Sequence, residues 1–300
     1  MPFPLVFLSL LHVENVFVSQ VHCLKIYELR IAYRSHYVKG LLCIGCGQEQ
    51  FIVNPTTGKS IALPKVRTKR KLARISDEYK VLCMTEAMIG PNQGAPSSQH
   101  QVFTLGARKK SWRMIECSIP HRPCSNGVCM DGVIYYAAKT GTERSLMRFD
   151  LRSKNFHLIT GVPAEIALTE GPYNYVMILN YQGKVAIPNK TSSYAFDVCV
   201  MDQNAEERKW LKQLTFSVEP WKSLFNYPFI HIKGITQTTG GFILAPYVYT
   251  SYDVYVVLYN HYTDNFRKFK VQGNAKYDFI KRNHGTGIFI SDYIESVRFL

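Results

Sequence analysis

No stretch of the chain reaches the ~18–20 uninterrupted apolar residues needed to span a bilayer, so a transmembrane helix is not expected. Low-complexity tracts are also absent, and only 14 of the 300 residues are proline. With 46% hydrophobic and 19% charged residues, the composition is that of a globular chain with ample length for a large core, which excludes disorder. The N-terminus, Met1-Pro-Phe-Pro-Leu-Val-Phe-Leu-Ser-Leu-Leu, has an apolar run of signal-peptide length but lacks a basic start and a small-x-small cleavage site. Secretion is therefore not expected, and Asn189-Lys-Thr, formally a glycosylation sequon, carries no meaning outside the secretory path.

Catalytic signatures are missing too. There is no Walker-type loop, G-x-S-x-G elbow, H-E-x-x-H or closely spaced carboxylate pair. The nine histidines are spread singly. His100, on the lead-in to a hairpin, and His261, beside a later turn, read as surface or hydrogen-bonded side chains, so no catalytic residue is expected. The eight cysteines are diluted in a long chain and several sit in apolar runs, as buried thiols of a nuclear or cytoplasmic protein do. Cys43-Ile-Gly-Cys46-Gly has the shape of half a zinc knuckle, but no second C-x-x-C exists to complete it. Cys117, His121 and Cys124 are the nearest alternative set, at a C-x3-H-x2-C spacing interrupted by Pro120 and Pro123 that is not a knuckle. A redox pair would need a helix after the strand, whereas Gly47-Gln-Glu-Gln-Phe-Ile-Val-Asn-Pro offers another strand. The expectation is no metal and no cofactor, with Cys43 a strand side chain and Cys46 a turn residue.

Acidic residues are scarce: 22 against 36 Lys and Arg, for a formal charge of +14. Such an excess favours acidic partners. Lys65, Arg67, Lys69, Arg70, Lys71 and Arg74 fall within ten residues and read first as a solvated loop, ahead of a nuclear-import signal on Thr68-Lys-Arg-Lys or a nucleic-acid contact. Neither nucleic acid nor a membrane is an expected partner.

What the sequence does contain is a repeat. Five segments share an apolar-aromatic run, a polar anchor with turn residues, and then a bulky residue with alternating apolar residues behind it. They begin at Phe51, Val102, Met147, Val198 and Val256, with anchors at Asn54, Leu105, Asp150, Asp202 and Asn260, spaced 45–58 residues apart. Alternation buries every second side chain, and Asn, Asp, Gly and Thr suit the bend, so each unit predicts a β-hairpin. The aromatics past the turn, Trp112, Phe156, Trp210 and Phe266, are expected to pack between neighbouring sheets. Gly-containing turns in the gaps, in Asn126-Gly-Val-Cys-Met-Asp-Gly-Val, Leu179-Asn-Tyr-Gln-Gly-Lys-Val and Thr239-Gly-Gly-Phe-Ile-Leu, add strands, giving three or four per repeat. The fold class predicted is all-β, a propeller-like repeat of about five or six small antiparallel sheets. Helical periodicity is confined to 206–213, which a long turn explains equally well. Recognition is expected in loops at one end of the sheets, with 90–101, 139–145, 189–193 and 247–252 as candidates; no substrate-binding residue is assigned.

Over about residues 36–300 the chain resembles the plant F-box-associated domain family. The resemblance is carried by Gly40-Leu-Leu-Cys-Ile, Asn54-Pro-Thr-Thr-Gly-Lys-Ser-Ile-Ala-Leu-Pro, Asp77-Glu-Tyr-Lys-Val-Leu, His100-Gln-Val-Phe-Thr-Leu, Trp112-Arg-Met-Ile, Met147-Arg-Phe-Asp-Leu, Asn180-Tyr-Gln-Gly-Lys-Val-Ala and Tyr293-Ile-Glu-Ser-Val, in order. It implies a propeller-like β domain (36–300) and a non-catalytic, substrate-recognising role in an SCF-type ubiquitin ligase, in the nucleus or cytoplasm. The partners implied are a target protein and, through an F-box, a Skp-family adaptor and a cullin. Residues 1–35 show neither the Leu-Pro start nor the Val-Ser-Lys-x-Trp-like end of an F-box, and Leu5-Val-Phe-Leu-Ser-Leu-Leu-His and Val16-Phe-Val read as two strands. The F-box is thus expected to be missing from this N-terminal segment, and the stretch at 74–77 to be shortened relative to the family. The alternatives are a truncated or inactive paralogue with no ligase role, or a small-ligand-binding or hydrolytic propeller.

Overall fold

The computed structural model describes residues 7–11, 36–38, 41–46, 49–54, 57, 59–64, 71–75, 80–85, 96–97, 99–108, 110–160, 162, 166, 176–202, 209–225, 230–236, 239–246, 255–270 and 287–291. Strand β1 (Phe7–Leu11) comes first. Sheet one holds β2 (His36–Val38), β3 (Leu41–Cys46), β4 (Glu49–Val53) and β5 (Ser60–Ala62). Sheet two holds β6 (Lys71–Ile75), β7 (Lys80–Thr85), β8 (His100–Thr104) and β9 (Arg113–Ile115). Sheet three holds β10 (Arg122–Met130), β11 (Val133–Thr140), β12 (Glu143–Asp150) and β13 (Phe156–Ile159). Sheet four holds β14 (Leu179–Tyr181), β15 (Lys184–Lys190), β16 (Ala195–Met201) and β17 (Trp210–Ser217). Sheet five holds β18 (Ile230–Ile235), β19 (Phe242–Pro246), β20 (Tyr255–Asn260) and β21 (Asn265–Lys270). The last strand, β22 (Gly287–Ser291), pairs in parallel with β1. Every four-stranded sheet is an antiparallel meander with strands in chain order. This is the all-β, propeller-like repeat that the sequence predicts, with five such sheets among the described residues.

All five anchors fall at the same place, the end of the third strand or the residue after it. The reason is local chemistry. Asp150 Oδ1 accepts the backbone N–H groups of Arg152 and Ser153 at 2.8 and 3.0 Å, and Asn260 Oδ1 accepts those of Tyr262 and Thr263 at 2.9 and 3.3 Å. Asn54 Oδ1 does the same for Thr57 at 3.3 Å. Each side chain satisfies donors that the bend frees from the ladder. Leu105 cannot, and its turn is closed by the Ala107 N–H on Thr104 O at 3.4 Å. The first-to-second turns use positive φ instead: Asp131 and Gly132 at +49° and +78°, and Gln182 and Gly183 at +52° and +79°, the pair that matches the twist of a two-residue hairpin.

The chain divides into two compact units. Unit one, 31–162 with 168–178 and 294–300, contains sheets one to three. Strands β7 and β8 are buried on both faces: Val81 and Phe103 pack with Leu41, Cys43, Ile52 and Leu63 of sheet one, while their neighbours Leu82 and Val102 pack with Ile134, Tyr136, Met147 and Phe149 of sheet three. Successive side chains of β7 and β8 thus point into different cores, as the period of two requires. Trp112 and Phe156 pack at these two seams as expected, and the Trp112 indole N–H reaches Pro64 O at 2.7 Å. Unit two, 1–30 with 163–167 and 179–293, contains sheets four and five and the β1–β22 pair. Phe216 stacks on Phe242 and Phe196 at 4.9 and 5.4 Å between ring centroids. Pro188 sits in β15 beyond the reach of the short β14 ladder, which ends at Ala186, so its missing N–H interrupts no bond on that side.

Three expectations are corrected. Residues 210–213 belong to β17, not to a helical turn, while 203–208 lie outside the described residues; the helical element among the described residues is a short 3-10 turn, Glu219–Leu224. Cys46 ends β3 opposite Glu49 rather than occupying the turn. Lys71 and Arg74 lie on β6, not in a loop, and the rest of the basic run, like 76–79 and the second N-terminal strand at 16–18, falls outside the described residues.

Candidate functional site

The four loops expected to recognise a target turn out to be one connection repeated, the link between second and third strands: β7–β8, β11–β12, β15–β16 and β19–β20. Cys43-x-x-Cys46 leads into the same connection of sheet one. The 247–252 loop lies outside the described residues, as does most of 90–101. The β11–β12 turn is tight, with Gly141 at φ +64° and Thr140 Oγ1 2.9 Å from Ser145 Oγ. The β15–β16 turn is closed by the Thr191 N–H on Ala195 O at 3.0 Å. Both present exposed small polar groups, with Gly141 and Thr142 in one and Thr191, Ser192 and Ser193 in the other.

The opposite strand ends of unit two carry a more distinctive surface. The Tyr181 hydroxyl lies 3.2 Å from His261 Nε2, and the Gln182 amide donates to the Tyr262 hydroxyl. His261 and Tyr262 rings are 3.9 Å apart. Gly240, at φ +64°, fits close beneath: a Cβ there would meet Tyr262 Cε2 at 3.3 Å. That turn is held by buried Thr236, whose Oγ1 accepts the Gly241 N–H at 2.9 Å. Tyr262 itself remains 61% exposed. An exposed phenol gripped on several sides is a rigid contact surface that loses little entropy on binding. Burial pushes the Tyr181 hydroxyl up, helped by Tyr262, and lowers His261, so burial favours the uncharged form of both the phenol and the imidazole. Sequence reasoning noticed His261 but not its partners, because nothing in the chain pattern brings 181–182 to 261–262.

In unit one, the histidine on the lead-in to β8 joins part of the rejected cysteine–histidine set. His100, Cys117 and His121 each place one donor atom within 4.8 Å of the others. His121 is fully buried, with Nδ1 2.8 Å from Ile119 O and Nε2 2.7 Å from the Tyr136 hydroxyl. Because a carbonyl only accepts, Nδ1 carries the hydrogen and Nε2 accepts from Tyr136. Cys117 Sγ lies 3.3 Å from the same Ile119 O and 3.8 Å from His121 Nδ1. His100 is 5% exposed and its Nε2 has no hydrogen-bond partner. Burial, then His121, lower its pKa to about 4. Phe156 covers both rings, at 4.9 and 5.6 Å. Cys43, by contrast, is 1% exposed in the apolar core, where burial pushes its thiol far up.

Comparison with known proteins matches residues 4–294 to the F-box associated beta propeller domain family, a longer span than the resemblance read from the motifs. A relative from Arabidopsis thaliana named "Putative F-box protein At5g15660" is 48% identical over 89% of this chain, and the chain spans 62% of that protein's length. "F-box protein At4g11590", also from Arabidopsis thaliana, is 44% identical over 89% of this chain and 69% of its own length. Among solved structures, a chain from the crystal structure of a nidogen/laminin complex shares 10% identity at a TM-score of 0.50, covering 93% of this chain and 92% of that one. That likeness concerns the fold alone.

Proposed function

The chain belongs to the F-box associated beta propeller domain family, and from that membership we propose that it is a non-catalytic protein-binding module that recognises targets for an SCF-type ubiquitin ligase, acting in the nucleus or cytoplasm. The observation that carries the reading is the family match over nearly the whole chain, together with the names of its relatives as F-box proteins. The geometry is compatible with it. The inner strands of the repeated sheets carry the buried apolar residues, which leaves the turns free to differ without disturbing the fold. The surface of Gln182, Gly240, His261 and Tyr262 is the element that contacts the target, with Tyr262 as its anchor. The connection to the ligase runs through an adaptor of the Skp family and a cullin, engaged by an F-box carried on the same polypeptide or supplied by an associated chain. No helix among the described residues is long and apolar enough to cross a membrane.

Affinity purification of the tagged chain followed by mass spectrometry tests the ligase assignment. Recovery of Skp-family adaptor and cullin peptides is the expected result. Recovery of other partners without either would remove the ligase role and leave the binding role.

A further inference from the structure

We propose that His100, Cys117 and His121 form a binding site for a zinc-class metal ion. The donor set, one thiolate and two imidazoles, is the kind that borderline-soft ions prefer over oxygen-seeking ones. Tetrahedral zinc, with Zn–S near 2.3 Å and Zn–N near 2.0–2.1 Å, sets sulfur and nitrogen about 3.5–3.6 Å apart. Cys117 Sγ and His121 Nδ1 stand at 3.8 Å, and the three donors already lie within 4.8 Å of one another. Small side-chain movements complete the approach.

Two further observations point to a ligand. The Cys117 S–H and the His121 Nδ1–H both converge on Ile119 O, so the same carbonyl orients two of the three donor atoms toward one another. Close by, two buried polar atoms have no hydrogen-bond partner: His100 Nε2 and the hydroxyl of Ser97. Ser97 is tied to the site through its backbone N–H on His121 O at 2.8 Å. Buried polar groups without partners are rare because they cost stability, and a bound ion with its remaining ligand gives them a role.

Cys117 loses its proton to solvent and the sulfur lone pair bonds the ion. The proton of His121 moves from Nδ1 to Nε2, freeing the Nδ1 lone pair, and Nε2–H then donates to the Tyr136 oxygen across the existing 2.7 Å contact. The Tyr136 hydroxyl turns its own hydrogen away. One proton is released per ion, and once His121 has switched tautomer its Nε2–H bond to Tyr136 holds the metal-bound form, as outer partners of ligating histidines do. The three side chains come from the first residue of β8 and from the β9–β10 link, so the ion would pin the end of the 90–101 connection to the passage between sheets two and three. The site shares no residue with the target-contacting surface proposed above, and its loss leaves that reading standing.

The test uses the full chain, stripped with a chelator and titrated with Zn2+ and with Co2+. The expected result is about one equivalent bound, about one proton released, and a sulfur-to-cobalt charge-transfer absorption. Cys117→Ser abolishes the absorption, His100→Gln weakens binding more than about 100-fold, and Tyr136→Phe weakens it about 10–100-fold. Cys199→Ser, in sheet four, changes nothing. Far-UV circular dichroism accompanies each variant, and His100→Gln decides the matter where Cys117→Ser does not fold. Wild-type protein that binds well below one equivalent overturns the proposal. So does binding that survives both substitutions but disappears in Cys46→Ser, which would place the ion on the C-x-x-C pair instead.

Discussion

Asp150 uses one carboxylate oxygen to accept two backbone N–H groups, those of Arg152 and Ser153; these bonds, that of Ser153 foremost, hold its carboxyl below the usual range. Asp150→Ala leaves both donors to water and should cost about 1 kcal/mol, whereas Asp150→Asn keeps the oxygen and should recover most of it; urea midpoints of the three proteins read the difference. Histidine supplies the pH dependence. Burial, then the positive charges of Lys233 and Lys190, lower His231 from 6.5 to about 4. Between those values the unfolded chain binds a proton that the folded chain refuses, so the contribution is intact above pH 6.5 and is lost as pH falls towards 4. In urea titrations across this range, His231→Gln should flatten part of the acid-side loss; an unchanged slope would remove His231 from the account.

At the scale of elements, turns and seams can be separated by substitution. Gly132 has φ +78°, and a Cβ at this position would meet nothing within 4 Å, so Gly132→Ala meets conformational strain alone, about 1–2 kcal/mol. Phe149, fully buried in the core shared by sheets two and three, should cost about 3–5 kcal/mol on truncation to Ala. Chemical unfolding of both variants would show the larger loss at the seam; the reverse order would mean that turn geometry, not inter-sheet packing, governs stability. The hairpins were legible because their signal is local: Asn54, Asp150 and Asn260 advertise a bend within three residues of themselves. Trp112 and Phe156 were legible as seam residues for the same reason, lying at a fixed distance past the turn. Cys46 and residues 210–213 were misplaced because strand ends depend on cross-strand partners, here Glu49 and Val200 with Met201, which short-range pattern does not reveal. The His100–Cys117–His121 cluster was only half visible. Two of its members lie four residues apart, but His100 arrives through the fold of β8 against the β9–β10 link. Tyr181 and Gln182 meet His261 and Tyr262 through the same kind of long-range encounter.

For the molecule as a whole, family membership and one gripped, exposed aromatic surface carry the proposed binding role. Formal charge of +14 favours acidic targets in diffusional encounter, while the exposed Tyr262 ring is suited to close contact. Removing the anchor leaves the backbone of its turn in place, since Asn260 still accepts the Tyr262 and Thr263 N–H groups. Binding can therefore be separated from folding. The direct measurement is quantitative affinity purification of the tagged wild-type chain beside Tyr262→Ala, in isotope-labelled pairs, with equal melting temperatures confirmed beforehand. The account predicts a reproducible set of proteins bound by wild type and depleted at least about tenfold by the substitution, a loss of the size a central interface aromatic produces. Equal recovery of every protein by both chains would contradict it.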